Sequence, residues 1–314
     1  MANANNIAFL FPGQGAQYVG MGKELYDNFA ECKDIFHRAD EALGFKLSDM
    51  CFNGPEDDLN TTEYTQPAIL TVSLSILNIL KSKGIEAKVT AGLSLGEYSS
   101  LVCSGIIGFD DAVRLVRKRG KYMQEAVPKG VGTMAAILGL KEEQVYEVCK
   151  ITSKEGIVEP ANFNCPGQIV IAGEVKAVEY ACEVAREMGA MKAIMLKVSG
   201  PFHTSMLEPA ANKLENELNN ITLNKGNISV FTNVTGECLN EDEIIATLKK
   251  QVMTSVKWEQ TIRNMINMGI DTFIEIGPGK TLSGFVRKID RKKKVLNIQD
   301  INSLQKTLDS LEII

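Results

Sequence analysis

Histidine is scarce in this sequence, with two in 314 residues, and tryptophan occurs once. Chemistry that needs an imidazole must therefore use His37 or His203. Positive charge is not in excess either. Against 39 Asp and Glu stand 34 Lys and Arg, a net charge of -5, so no global field attracts nucleic acid or an anionic membrane. No apolar run approaches the roughly 18 residues that a membrane-spanning helix requires. The first apolar run, Ile7 to Phe11, follows Asn-rich sequence without Lys or Arg and stops at Pro12-Gly13. A secretory signal peptide is not expected there. The cysteines, at 32, 51, 103, 149, 165, 182 and 238, are odd in number, widely spaced and without a Cys-x-x-Cys. Neither a disulfide framework nor a metal site is expected, and the reducing cytoplasm is the expected location. What remains is ordinary globular composition, 45% hydrophobic and 23% charged, long enough for one large domain carrying a smaller one.

The patterning alternates. Ile7 to Phe11 reads as a buried strand entering a Pro-Gly-Gln-Gly loop, and helical periodicity runs on to about residue 43. A helix from Pro67 to Lys83, apolar nearly all round, stops at Gly84. Lys88 to Gly92 is a short strand, and helices follow from Leu95 to Cys103 and from Phe109 to Val127; Thr272 to Ile276 is a late buried strand. Strands alternating with helices predict a parallel sheet covered on both faces. Residues 131–198 have another rhythm: strand 131–138, helix 141–152, strands 157–162 and 168–172, helix 174–188, strand 191–198. That β-α-β-β-α-β order is ferredoxin-like and reads as an insert.

Gly92-Leu-Ser94-Leu-Gly96 fits Gly-x-Ser-x-Gly between a strand and a helix. The glycines permit a strained turn that lifts the Ser94 hydroxyl clear of the sheet and aims the Leu95 N–H at an oxyanion. The bland alternative is a helix entry capped by Ser94. A serine nucleophile needs a base. His37 lies in a charge-rich helix and reads as a solvated residue, whereas His203 lies in a constrained Gly-Pro-Phe-His loop ahead of a helix whose Ser205 and Glu208 resemble a capping box. Elimination favours His203. No single Asp or Glu stands out as a third, orienting acid. On the 109–127 helix, Arg119 falls in the middle of a face made by Ala112, Leu115, Val116, Met123, Ala126 and Val127. A buried cation requires an anion. Either an internal carboxylate pairs with it, or it binds a carboxylated ligand. Gly13-Gln14-Gly15 is a poor dinucleotide loop, because Tyr18 stands where the third glycine belongs and no acid follows a second strand.

Five segments, Phe9-Leu-Phe-Pro-Gly-Gln-Gly15, Gly92-Leu-Ser-Leu-Gly-Glu-Tyr98, Arg119-Gly-Lys-Tyr-Met-Gln-Glu125, Gly200-Pro-Phe-His-Thr204 and Glu275-Ile-Gly-Pro-Gly279, together resemble the malonyl-CoA:acyl carrier protein transacylases. The resemblance spans nearly the whole chain. It implies an α/β-hydrolase-like core, residues 1–128 and 199–314, with the ferredoxin-like subdomain inserted at 129–198. It implies ping-pong transfer of malonyl from malonyl-CoA to Ser94 and then to the phosphopantetheine thiol of acyl carrier protein in fatty acid synthesis, with no cofactor, by a monomer. His203 matches the base. A backbone carbonyl, matched here to Gln251, orients its ring where hydrolases use an acid. Gln14 and Leu95 match the oxyanion donors, and Arg119 the residue that pairs with the malonyl carboxylate. The family usually has His before the nucleophile; this chain has Leu93, a position that goes with acyl selection in related extender-unit acyltransferases. A polyketide-type acyltransferase and a serine esterase or thioesterase share the elbow, and a nucleotide-binding regulator is the rival from another class. Two basic clusters, Arg114, Arg117, Lys118 and Lys121, and Arg287, Lys288 and 291–294, are candidate docking faces for the carrier or simply solvated faces.

Overall fold

The computed structural model describes residues 6–198 and 200–312; the boundary expected at Ser199 lies outside them. Among these residues nine strands form two sheets. The first contains β1 (Ile7–Phe11), β2 (Val89–Gly92), β7 (Ser229–Phe231), β8 (Thr272–Ile276) and β9 (Lys294–Ile298), in the order β7-β2-β1-β8-β9 with every neighbouring pair parallel. The pleat of β1 explains its continuous apolar run. Ile7, Phe9 and Phe11 face the cluster built on helix Thr62–Ser82, while Ala8 and Leu10 face Trp258, Ile262, Leu282 and Val286 on the opposite side.

The second sheet comprises β3 (Gly132–Leu138), β4 (Val158–Cys165), β5 (Gln168–Glu174) and β6 (Lys192–Met195), ordered β4-β5-β3-β6 and antiparallel throughout. Helices Glu142–Thr152 and Val175–Glu187 cover one face around a separate apolar core. The strand order is that of the ferredoxin-like arrangement, so the expected fold class is the one observed.

Three local expectations are corrected. The long buried helix begins at Thr62, not Pro67, so Pro67 lies inside it, as its sixth residue; there it removes the hydrogen bond to the Glu63 carbonyl, a local cost that the packing of the buried helix overrides. The last strand of the insert is four residues, not eight, because Leu196 and the residues after it turn toward the cavity described below. Ser205 caps nothing with Glu208. Its N–H and hydroxyl both donate to Glu159 of β4, at 2.8 and 2.5 Å, tying the His203 loop to the second sheet.

Candidate active site

A cavity of about 480 Å³ opens between the carboxyl ends of the parallel strands and the second sheet, the region where open α/β sheets bind ligands. Ser94 lines it on the turn between β2 and helix Gly96–Cys103. Its φ of +54° is in the left-handed region, which costs a non-glycine residue roughly 1–2 kcal/mol. The neighbours make the turn possible. A Cβ on Gly92 would lie 1.8 Å from the Gly96 carbonyl carbon, and one on Gly96 would lie 2.1 Å from Phe11 O. Only glycines fit that crossing.

Side chains grip the strained turn from both ends. Asn233 accepts the Ser94 N–H through Oδ1 at 2.6 Å and donates through Nδ2 to Gly92 O at 2.8 Å. Gln251 donates through Nε2 to Ser94 O at 2.8 Å. Both are buried.

His203, also buried and also at positive φ (+64°), places Nε2 2.8 Å from Ser94 Oγ. Its Nδ1 is 2.9 Å from the backbone oxygen of Gln251. A carbonyl only accepts, so Nδ1 carries the proton and the Nε2 lone pair faces the serine hydroxyl. Burial, and then the nearby Arg119 charge, push the imidazole from its ordinary 6.5 down to about 4. The imidazole is thus neutral across the physiological range. His37 is exposed, its Nε2 3.4 Å from the Tyr26 hydroxyl.

Arg119 is 1% exposed on helix Phe109–Ala126. A Cβ on the next residue, Gly120, would meet Thr62 O at 2.4 Å, so the two helices cross closely enough for Gln66 to reach the guanidinium. Nη1 donates to Gln66 Oε1 at 2.9 Å; Nη2 donates to Gln251 Oε1 at 2.9 Å and to Ser94 Oγ at 3.2 Å. The guanidinium carbon lies 5.3 Å from the Tyr98 ring centre. Among the described residues Arg119 has no carboxylate within ion-pair distance, and its buried Nε–H has no acceptor. The internal ion pair weighed from the sequence is therefore not what holds it. Neutral amide oxygens do, and they leave donor capacity for an incoming anion.

Gln14 and Leu95 line the same cavity, one in the loop after β1 and the other at the start of helix Gly96–Cys103. Among the described residues neither backbone N–H donates to a protein acceptor. Leu93, Met123 and Phe202 supply apolar wall. The Gly13–Gly15 loop does not open a helix, since the next one starts at Lys23; a phosphate-binding loop feeds directly into one. Three residues of the site went unread in the sequence: Gln66, Asn233 and Glu97. Gln66 has a signal, a polar residue on an otherwise apolar helix, and Glu97 stands in the elbow motif with no role read for it; Asn233 has none. Among the described residues no group of three His, Cys, Asp or Glu is placed to hold a metal.

The first basic cluster is spent on internal pairs. Arg114 meets Asp111, Arg117 meets Glu63, Lys118 meets Glu217 and Lys121 meets Glu125. The second is not: among the described residues Arg287, Lys288 and the basic residues at 291–294 form no ion pair. It lies at the far end of helix Thr281–Ile289, whose first turn lines the cavity, roughly 13 Å away at 1.5 Å per residue.

Comparison with known proteins gives the same picture. Residues 8–310 match the family described as "Acyl transferase domain". The chain is 46% identical over 310 residues to the malonyl CoA-acyl carrier protein transacylase of Bacillus subtilis (strain 168), covering 98% of each. The crystal structure of malonyl CoA-acyl carrier protein transacylase from Clostridium perfringens superimposes with a TM-score of 0.96 at 55% identity, covering 98% of this chain and 97% of that one. A malonyl-transacylase solved in complex with its holo type II PKS acyl-carrier protein superimposes with a TM-score of 0.95 at 40% identity, covering 97% and 99%. With a shared fold and identity that runs end to end, the chain belongs to the malonyl CoA-acyl carrier protein transacylases of the acyl transferase family.

Proposed function

We propose that this protein transfers malonyl from malonyl-CoA to the phosphopantetheine thiol of acyl carrier protein in fatty acid biosynthesis, through a malonyl-Ser94 intermediate. The observation that carries the reading is the convergence of two groups on one oxygen: His203 Nε2 at 2.8 Å and Arg119 Nη2 at 3.2 Å from Ser94 Oγ. His203 takes the hydroxyl proton as Ser94 Oγ attacks the thioester carbonyl. The N–H groups of Gln14 and Leu95 receive the oxyanion. Collapse expels coenzyme A as its thiol, which takes the proton back from His203. The carrier thiol then gives its proton to the same nitrogen and attacks the malonyl ester, and Ser94 is restored.

Arg119 selects the acyl group by pairing with the distal carboxylate. The Gln251 carbonyl holds the Nδ1–H tautomer, so no third acid is needed. Every step is a proton or acyl transfer between side chains and substrates, so no cofactor enters, and all these groups come from one chain, consistent with a monomer. The unpaired basic cluster at 287–294 is the docking face for an acidic carrier. No helix among the described residues is long and apolar enough to cross a membrane. All seven cysteines are free thiols, six of them buried, which suits the cytoplasm.

A second reading has one observation in its favour, the relative bound to a type II PKS carrier. Comparing transfer rates to a fatty acid carrier and to a polyketide carrier separates the two. The test of the main reading is incubation with radiolabelled malonyl-CoA. Wild type retains label at Ser94, and Ser94→Ala retains none and loses roughly 10³-fold or more in transfer. Transfer that survives in Ser94→Ala overturns the mechanism.

A further inference from the structure

Glu97 is the first-turn residue of the helix that follows the elbow, three residues after Ser94, and it is completely buried. A carboxyl group in such a place is costly unless its surroundings compensate it. Its Oε2 accepts two hydrogen bonds, from the Asn233 N–H at 3.0 Å and from Gln251 Nε2 at 3.0 Å. The first holds the residue that clamps the Ser94 N–H. The second determines which way round the Gln251 amide lies.

That amide has a direction. Glu97 Oε2 and Ser94 O both demand a donor, so Nε2 turns toward them. Oε1 is left facing Arg119 Nη2, where it accepts at 2.9 Å. Reversing the amide would set an NH₂ donor against a guanidinium donor and leave the Glu97 and Ser94 oxygens facing an oxygen. The order of donors and acceptors from Glu97 through Gln251 to Arg119 is therefore fixed at its acidic end. From this geometry, and given the malonyl-transfer reading above, we infer that Glu97 is a positioning residue: it orients the Gln251 amide and thereby aims the Arg119 guanidinium at the substrate carboxylate.

A residue that merely fills the core, or that only complements the helix dipole, affects every reaction of Ser94 alike. A residue that aims Arg119 affects carboxylated acyl groups selectively. The full-length enzyme and its Glu97→Leu, Glu97→Gln and Gln251→Ala variants are compared in two reactions of Ser94, acylation by malonyl-CoA and labelling by an uncharged alkyl fluorophosphonate, both followed by intact mass. In Glu97→Leu the ratio of the malonyl rate to the phosphonate rate falls at least tenfold. Glu97→Gln recovers most of that loss, because its amide oxygen accepts from the same two N–H groups. Gln251→Ala, which keeps the backbone carbonyl on His203, reproduces the fall, and adding Glu97→Leu to it lowers the ratio little further.

Equal loss in both reactions, a Gln variant as impaired as the Leu variant, or additive effects in the double variant overturns the inference. Should Glu97→Leu not fold, Gln251→Ala decides: an unchanged ratio there is equally fatal. Wild type that the phosphonate labels but malonyl-CoA does not acylate overturns the malonyl reading itself, a result distinct from all of these.

Discussion

Replacing Arg119 with alanine separates substrate recognition from fold. The guanidinium is 1% exposed, and the acceptors on its two terminal nitrogens are neutral, so the bound malonyl carboxylate would be its first counter-charge in direct contact. Removing one partner of a buried pair costs about 3–5 kcal/mol. At 1.36 kcal/mol per decade that is a loss of roughly 10²–10³-fold or more in kcat/KM for malonyl-CoA. Acetyl-CoA has no distal carboxylate, so its transfer is spared or improved. Arg119→Lys recovers only part, because a point ammonium cannot make two parallel hydrogen bonds. Stability should barely move. The Gln66 and Gln251 oxygens lose their donor, costing about 1–3 kcal/mol each, while relief from burying an unpaired cation offsets several kcal/mol. The assay is the ratio of malonyl to acetyl kcat/KM, with a urea unfolding curve for each variant. A proportional loss on both substrates, or an unfolded Arg119→Ala, refutes the assignment.

Five other outcomes are expected. A base near the ordinary histidine value would give a rate rising through about pH 6.5; with His203 at about 4, phosphonate labelling of the free enzyme should stay flat from pH 8 to about 5 and fall only below that. Removing the Arg119 charge lets the imidazolium form more easily, so the same limb moves up in pH in Arg119→Ala. Because the folded state depresses His203 to about 4, unfolded chain binds more protons between about 6.5 and 4: its contribution is intact above 6.5 and lost as pH falls, by about 2.5 kcal/mol at pH 4.5, and urea midpoints for wild type and His203→Gln should diverge accordingly. Gly92→Ala drives a methyl into Gly96 and should cost about 2–3 kcal/mol or more with loss of Ser94 labelling, whereas charge reversal at Arg291 and Lys292 should raise the carrier KM roughly fivefold at low salt, less at high salt, and leave that for malonyl-CoA unchanged.

The parts of the site carried by local rules were legible in advance. A strand, two glycines and a helix specify the elbow at Ser94, and helical periodicity places Arg119 on a buried face. With two histidines in the chain, one on a charged helix face, elimination leaves His203 as the candidate base. What stayed hidden depends on distant partners. Asn233 follows β7, a strand of three residues too short for periodicity to reveal, and β9 follows a run of basic residues that reads as solvated loop. Glu97 was visible as a motif residue, but its two donors come from 136 and 154 residues away. The low pKa of His203 has the same origin, since its burial is made by the packing of the whole domain rather than by its neighbours in sequence. The first basic cluster is half legible: Asp111 and Glu125, which pair with Arg114 and Lys121, are neighbours on the same helix, whereas Glu63 and Glu217, which pair with Arg117 and Lys118, are remote in the chain.

The central claim is that Ser94 holds malonyl for a thiol rather than releasing it to water. Malonyl-enzyme isolated after brief exposure to malonyl-CoA, then divided between buffer and holo acyl carrier protein, tests it directly. The label should stay on the Ser94 peptide in buffer for many turnover times and move to the carrier within one. Release of free malonate at the same rate in both samples would make this protein a hydrolase built on the same elbow.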